Sequence, residues 1–314
     1  MLVWGIFIAV ILIFLALDLG VFNRNPHIIS TKEASVWTGI WVTISLLFSG
    51  VIYWLYSTDF IYNVDNLTPS NATLKYITGY LIELSLSVDN IFVIAVIFTS
   101  FKIPLKYQHR VLFWGILGAI LFRALMIFFG VLLINKFSFT TYIFGAFLIF
   151  TAYRMLLSKD EEFNPKKSFI YRQIRKFVPI TSHMNEEHFF IKIRHITAAT
   201  PLFIALIIIE FTDILFALDS IPAILAITSD PFLVFTSNIF AILGLRSMYF
   251  FLSNMLTRFH YLKYSLIVIL TFVGIKLILA HYFKFPEWVS LSVIAISLLS
   301  GIFVSVNSTI KKTT

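Results

Sequence analysis

The sequence predicts an all-α, polytopic membrane helix bundle of about nine transmembrane helices, built around two inverted three-helix repeats. Three observations carry this. Hydrophobic residues make up 59% of the 314 residues and charged residues only 13%, with a mean hydropathy of +0.91; a soluble domain needs more polar surface than that. The apolar residues fall in blocks long enough to span a bilayer, which takes roughly 20 residues of helix. Two of those blocks carry carboxylates at the same spacing, Glu83 and Asp89 in one and Asp213 and Asp219 in the other.

Nine apolar segments qualify as spans: Leu2–Phe22, Ser35–Tyr56, Leu74–Phe101, Arg110–Ile134, Thr140–Leu157, Ala198–Thr228, Phe232–Leu256, Leu262–Tyr282 and Trp288–Val306. No polar stretch between them is long enough to fold separately, so residues 1–314 read as a single membrane domain. Within it, residues 2–56 form two N-terminal helices, 74–157 repeat one, 158–197 a basic cytoplasmic loop, 198–282 repeat two and 286–306 the last helix. The N-terminus has no basic region and no small-residue cleavage site, so it reads as a retained helix and not a signal peptide. Tyr53, Trp54, Tyr56, Tyr107, Trp114, Tyr282 and Trp288 lie near segment ends, as interfacial aromatics do.

The net charge of +8 does not indicate nucleic acid. The bases fall between apolar segments, where they face an anionic leaflet. They also alternate. Arg24 and Lys32, then Lys102, Lys106 and Arg110, then the run from Lys159 to Arg194, then Arg258 and Lys263, then Lys311 and Lys312 occupy every second loop; Lys75, Lys136 and Lys284 are the few in between. This puts the N-terminus outside and the C-terminus in the cytoplasm, and a multi-pass protein of a bacterial inner membrane is expected. The loop 158–197 is then cytoplasmic, a solvated connector with a surface-lying helix. A metal-sensing role for its His183, Glu186, Glu187 and His188 is the weaker reading.

The stretch Glu83-Leu-Ser-Leu-Ser-Val-Asp89-Asn90 is echoed by Asp213-Ile-Leu-Phe-Ala-Leu-Asp219-Ser220, with Glu210 just before it. Arg123 is echoed by Arg246, and Arg154 by Lys276. Each copy contains three helices. Three is odd, so the copies have opposite orientation, a plan found in secondary transporters whose substrate sites lie at the midplane.

Acids in an apolar helix are costly and are usually retained for function. The alternative is that Arg123 and Arg246 neutralise them as structural pairs. Five acids face two arginines, and that surplus favours a site made of Glu83, Asp89, Asn90, Glu210, Asp213, Asp219 and Ser220, with Arg123 and Arg246 as counter-ions. Residues six apart on a helix lie about 120° apart, so Asp89 and Asp219 join Glu83 and Asp213 only if the helices bend or unwind. Pro222 offers a break in the second copy. On this basis Asp89 and Asp219 are expected to be the central ligands. Asp18, at a helix end before Gly20, reads either as a cytoplasmic gate or as a helix-end hydrogen-bonding group.

The runs Leu15-Ala-Leu-Asp18-Leu-Gly20-Val-Phe22-Asn-Arg24, His27-Ile-Ile-Ser-Thr-Lys32-Glu33-Ala34, Glu83 to Asn90 and Phe216-Ala-Leu-Asp219-Ser220-Ile-Pro222-Ala resemble the TerC family, in its order and over most of the chain. The resemblance implies an integral membrane protein associated with tellurite resistance, with manganese export and with manganese supply to exported proteins; a plant relative serves thylakoid assembly. It also implies kinship with the lysine-exporter superfamily and its three-helix inverted repeats.

The donors are carboxylates, an amide and hydroxyls, all hard oxygen ligands. They suit manganese, calcium or magnesium and not copper(I). They would repel tellurite, an anion. The leading expectation is an exporter of a divalent cation by alternating access, with no tightly bound cofactor. The alternatives are an exporter of a cationic or zwitterionic organic solute, or a non-transporting membrane assembly or stress-resistance factor. The expected partners are the bilayer and the ion, with membrane protein partners or a homo-oligomer open. With no cysteine, no intramembrane histidine pair and no nucleophile motif, an enzyme is not expected.

Overall fold

A computed structural model describes residues 2–17, 29–63, 65–137, 139–157, 169–181, 188–193, 196–253, 262–279, 282–283 and 285–313. The helices are α1 (Leu2–Leu17), α2 (Thr31–Ser57), α3 (Pro69–Ser100), α4 (Leu105–Lys136), α5 (Thr140–Leu157), α6 (Phe169–Phe177), α7 (Pro201–Leu225), α8 (Pro231–Ser253), α9 (Leu262–Leu279) and α10 (Glu287–Thr313). Among the described residues, seven helices are long and apolar enough to cross a membrane: α2, α3, α4, α5, α7, α8 and α10. The other two expected spans correspond to α1 and α9, and both are flanked by residues outside the described set.

Local chemistry sets the helix starts. Ser30 Oγ accepts from the Glu33 amide at 3.2 Å, and Thr68 Oγ1 accepts from the Asn71 amide at 3.3 Å; each satisfies an orphan donor of the first turn. Pro69, Pro201 and Pro231 each occupy the first helical position, where a missing N–H costs nothing. Asp230 caps α8, accepting from the Phe232 amide at 2.9 Å and the Leu233 amide at 3.3 Å. The Tyr56 hydroxyl donates to its other oxygen at 2.8 Å, tying α2 to α8. Burial holds the Asp230 carboxyl above the usual carboxylate range, and these hydrogen bonds offset that only in part.

At the centre stands α8, with 89% of its span buried. It packs on α2, α3 and α4; α3 packs chiefly on α8, α4 on α7, and α5 on α9, with α10 laid over α9 and α3. The α5–α9 crossing is reciprocal. A Cβ on Gly145 would lie 2.8 Å from the Gly274 carbonyl oxygen, and a Cβ on Gly274 would lie 2.9 Å from that of Gly145; Ile278 and Ile149 sit beside the two in turn. Small residues let membrane helices approach at backbone distance in this way. The outward faces of α4, α5 and α10 present Phe128, Phe129, Phe150, Leu299 and Phe303, the apolar exterior that a bilayer solvates.

The segment between α5 and α7 holds α6 and an antiparallel strand pair, β1 (Phe190–Ile193) and β2 (Ile196–Ala199), in register from Phe190↔Ala199 to Ile193↔Ile196. The surface-lying helix of the sequence reading corresponds to α6, but the hairpin was not foreseen. Nor is this segment only a solvated connector. Tyr171, Ile174, Ile180 and Phe189 pack on a core of Ile97, Phe98, Phe101, Leu202 and Tyr249. Four-residue strands carry too few residues for an alternation pattern to stand out.

A second correction concerns α3 and α7. Both run as unbroken helix through Glu83–Asp89 and Glu210–Asp219. Pro222 sits in the last turn of α7, so it weakens the helix end and does not open its middle.

Candidate functional site

Four helices meet at Arg123. This guanidinium, on α4, is fully buried, as are Glu83 on α3 and Asn238 on α8. Arg123 Nη1 donates to Glu83 Oε1 and to Asn238 Oδ1 at 3.1 Å. Its other edge grips Asp213 on α7, Nη2 to Oδ1 at 3.0 Å and Nε to Oδ2 at 3.3 Å. Asn238 Nδ2 closes the ring by donating to Glu83 Oε2 at 2.9 Å. Two carboxylates thus share one cation. The pairing is bidentate on the Asp213 side, the strong form of such a contact, and the cluster keeps one formal negative charge in excess.

Glu210 lies one turn before Asp213. Its carboxyl rests against the backbone of α4 at Gly118, where a Cβ would come within 2.2–2.4 Å of the carboxyl atoms. Its Oε2 is buried with no hydrogen-bond partner among the described residues. Beside these acids lies a cavity of about 30 Å³ whose polar lining is Asn90, Thr212 and Asp213 and whose walls include Ile94, Gly115 and Ile209. That volume suits a water-sized occupant.

The other sequence-predicted residues are distributed around this cluster. Asn90 is buried and lines the cavity. Ser220 is buried, and its hydroxyl has no hydrogen-bond partner among the described residues. Asp219 points elsewhere: Thr151 on α5 donates to its Oδ1 at 2.9 Å, and the Arg154 charge acts on it. With α7 unbroken, the 120° offset holds, so Asp219 does not share a helix face with Asp213. Asp89 lies on α3, but its side chain is outside the described residues, as is all of Asp18. Arg246 sits eight residues beyond Asn238 on α8, about 12 Å along the axis, and lines a different small cavity with Glu33, Ala34, Trp37 and Phe250. Arg123 is therefore faced across α8 by Asn238. Lys276 donates to Ser290 on α10 at 2.9 Å.

Among the described residues, no three Asp, Glu, His or Cys side chains converge closely enough to hold a metal ion. Asn238, Thr151 and Gly118 are the site residues that sequence reasoning missed. The polar run Thr236-Ser237-Asn238 inside an apolar segment was the signal for the first.

The model of the integral membrane protein TerC family matches residues 67–314. The chain belongs to the TerC family. Relatives include an uncharacterized membrane protein of Myxococcus xanthus, 49% identical over 93% of this chain and 88% of its own length, and one of Rickettsia bellii, 46% identical over 96% of both. A third, from Escherichia coli K12, carries the name "Putative membrane-bound redox modulator Alx" and is 45% identical over 93% of this chain and 90% of its own. No solved structure matches. This TerC family member is an integral, multi-pass membrane protein, and the Arg123 cluster lies inside its transmembrane bundle.

Proposed function

We propose that this TerC family protein exports a divalent metal cation, manganese foremost and calcium or magnesium within the same donor class, by alternating access. One observation carries the reading: a fully buried arginine shared by two carboxylates from different helices, beside a water-sized cavity that ends on one of them. An ion pair of this kind is no stronger than well-packed apolar residues would be. Its chemistry is useful if Arg123 stands in for the cargo. When Arg123 swings away, Glu83, Asp213 and Glu210 offer three carboxylates, and Asn90 and Asn238 offer amide oxygens, a hard-donor set for a six-coordinate ion. The arginine then neutralises the acids again after release.

The pairing of helices supports the inverted-repeat plan. If α3, α4 and α5 correspond to α7, α8 and α9, then the contacts α3–α8 and α4–α7 are images of one another, and α5–α9 is its own image. The reciprocal Gly145–Gly274 crossing fits that symmetry. The distribution of Lys and Arg supports the N-terminus outside, the C-terminus in the cytoplasm and an inner-membrane location. Export as the direction rests on the family resemblance. The cavity of about 30 Å³ disfavours an organic solute. A redox effect of the kind named for the Escherichia coli relative would here be indirect, since this chain has no cysteine for thiol exchange. The reading is a transporter, not an enzyme.

The test is manganese flux in proteoliposomes, with and without a pH gradient, against calcium, magnesium and an amino-acid panel. Flux of a divalent cation that saturates supports the proposal. Amino-acid flux without metal flux would replace it with the organic-solute reading.

A further inference from the structure

We infer that the path beyond the Arg123 cluster is closed by two glycine seats, Gly79 on α3 and Gly130 on α4, against which the last turn of α7 is pressed; this rests on the transport reading above. The cavity lies mainly to one side of the cluster, with Asp213 at its edge and Phe216 just past it. Asn90 and Ile94 follow Glu83 on α3, whereas Gly115 and Ala119 precede Arg123 on α4. Because the helices alternate in direction, these positions face the same end of the bundle. That end carries Lys102 and Lys106, and there Phe98 and Tyr249 stack edge to face at 5.5 Å.

Toward the other end, side chains of α7 and α8 pack directly onto glycine. A Cβ on Gly79 would lie 2.9 Å from Ile224 Cδ1, 3.1 Å from Ile224 Cγ1 and 3.1 Å from Ser237 Oγ; one on Gly130 would lie 2.9 Å from Leu225 Cδ1 and 3.3 Å from Ile221 Cγ2. Ile221, Ile224, Leu225 and Ser237 are all buried. So one short piece of α7, residues 221–225, fills both seats. Pro222 sits in that piece. It cannot donate to the Leu218 carbonyl, so the last turn is held to the rest of α7 by fewer backbone bonds. Loosely attached below and seated above, this turn is built to move as a unit. The Phe98–Tyr249 core closes the Lys106 end, and a cation held at Asp213 leaves toward the other end only when the turn lifts off Gly79 and Gly130.

The absence of native cysteine makes the test direct. In Gly79→Cys/Ile224→Cys the new Cβ at 79 lies 3.1 Å from the Ile224 Cγ1 position, the place a cysteine sulfur takes, so the pair is close enough for a disulfide to form. Oxidation should stop manganese flux in proteoliposomes, and a reductant should restore it, while each single variant continues under the same oxidant. Undiminished flux with the disulfide verified by mass overturns the gate and leaves the transport reading intact. A second arm needs no flux. Ser237→Cys should react slowly with an impermeant maleimide added from the side opposite Lys106, and several times faster once Gly130→Ala is added. Equal labelling with and without Gly130→Ala also overturns the gate. Faster labelling in a protein that moves no cation leaves the gate standing and sinks the transport reading.

Discussion

Arg123→Leu removes the one guanidinium that Glu83 and Asp213 share, leaving a buried acid, a part-buried acid and the Asn238 amide oxygen without it. Breaking a buried pair costs on the order of 3–5 kcal/mol. The variant should give little folded protein, read by size-exclusion yield in detergent. Normal yield and melting would remove Arg123 from the centre of the account. Gly118→Ala should behave differently. The atoms nearest the new methyl all belong to the far end of the flexible Glu210 side chain, so Glu210 moves and the fold survives. The expected result is wild-type melting with manganese affinity reduced as in Glu210→Gln. A large loss of melting temperature would mean that α4 cannot accept a Cβ there for other reasons. At this scale the acids themselves were legible in the sequence, because carboxylates inside an apolar run are conspicuous. Which of them meet was not. Asp213 and Asp219 differ only in rotation about α7, and the sequence reading turned that rotation by assuming a break that α7 does not have.

At the scale of elements, the α5–α9 crossing has no flexible side chain to give way. The atoms opposite Gly145 and Gly274 include each other's carbonyl oxygens. Gly145→Ala or Gly274→Ala should therefore lower stability by about 1–3 kcal/mol, the range for overpacking a tight contact, measured as thermal unfolding in detergent. Unchanged unfolding would show that the two helices separate freely. The long helices were readable because each is a long apolar block, three of them opened by Pro after Thr or Asp. The matching of basic residues between repeats was less so. Arg246 looked like the image of Arg123, yet Asn238 occupies the facing position. Strands β1 and β2 escaped because their short apolar run continues directly into α7.

For the whole molecule, the Lys and Arg distribution predicts that cysteines at Asn66 and Lys176, both exposed, label from opposite sides of the membrane. Labelling from one side would sink both the topology and the inverted repeat. The membrane character was fixed by composition alone. The packing on either side of Arg123 was not readable, because the cavity and the glycine contacts depend on how four helices pack. The central claim is that the carboxylates around Arg123 carry a divalent cation across this bundle. The most direct measurement is manganese flux in proteoliposomes for wild type, Glu83→Gln, Asp213→Asn and Asp219→Asn, each checked for fold. Loss of one charged ligand should lower flux at limiting manganese roughly tenfold or more in the first two variants, about 1.4 kcal/mol or above. Asp219→Asn, whose carboxylate bonds Thr151 instead, should retain most of it. Wild-type flux in Glu83→Gln and Asp213→Asn would contradict the account and leave the Arg123 cluster as a structural ion pair.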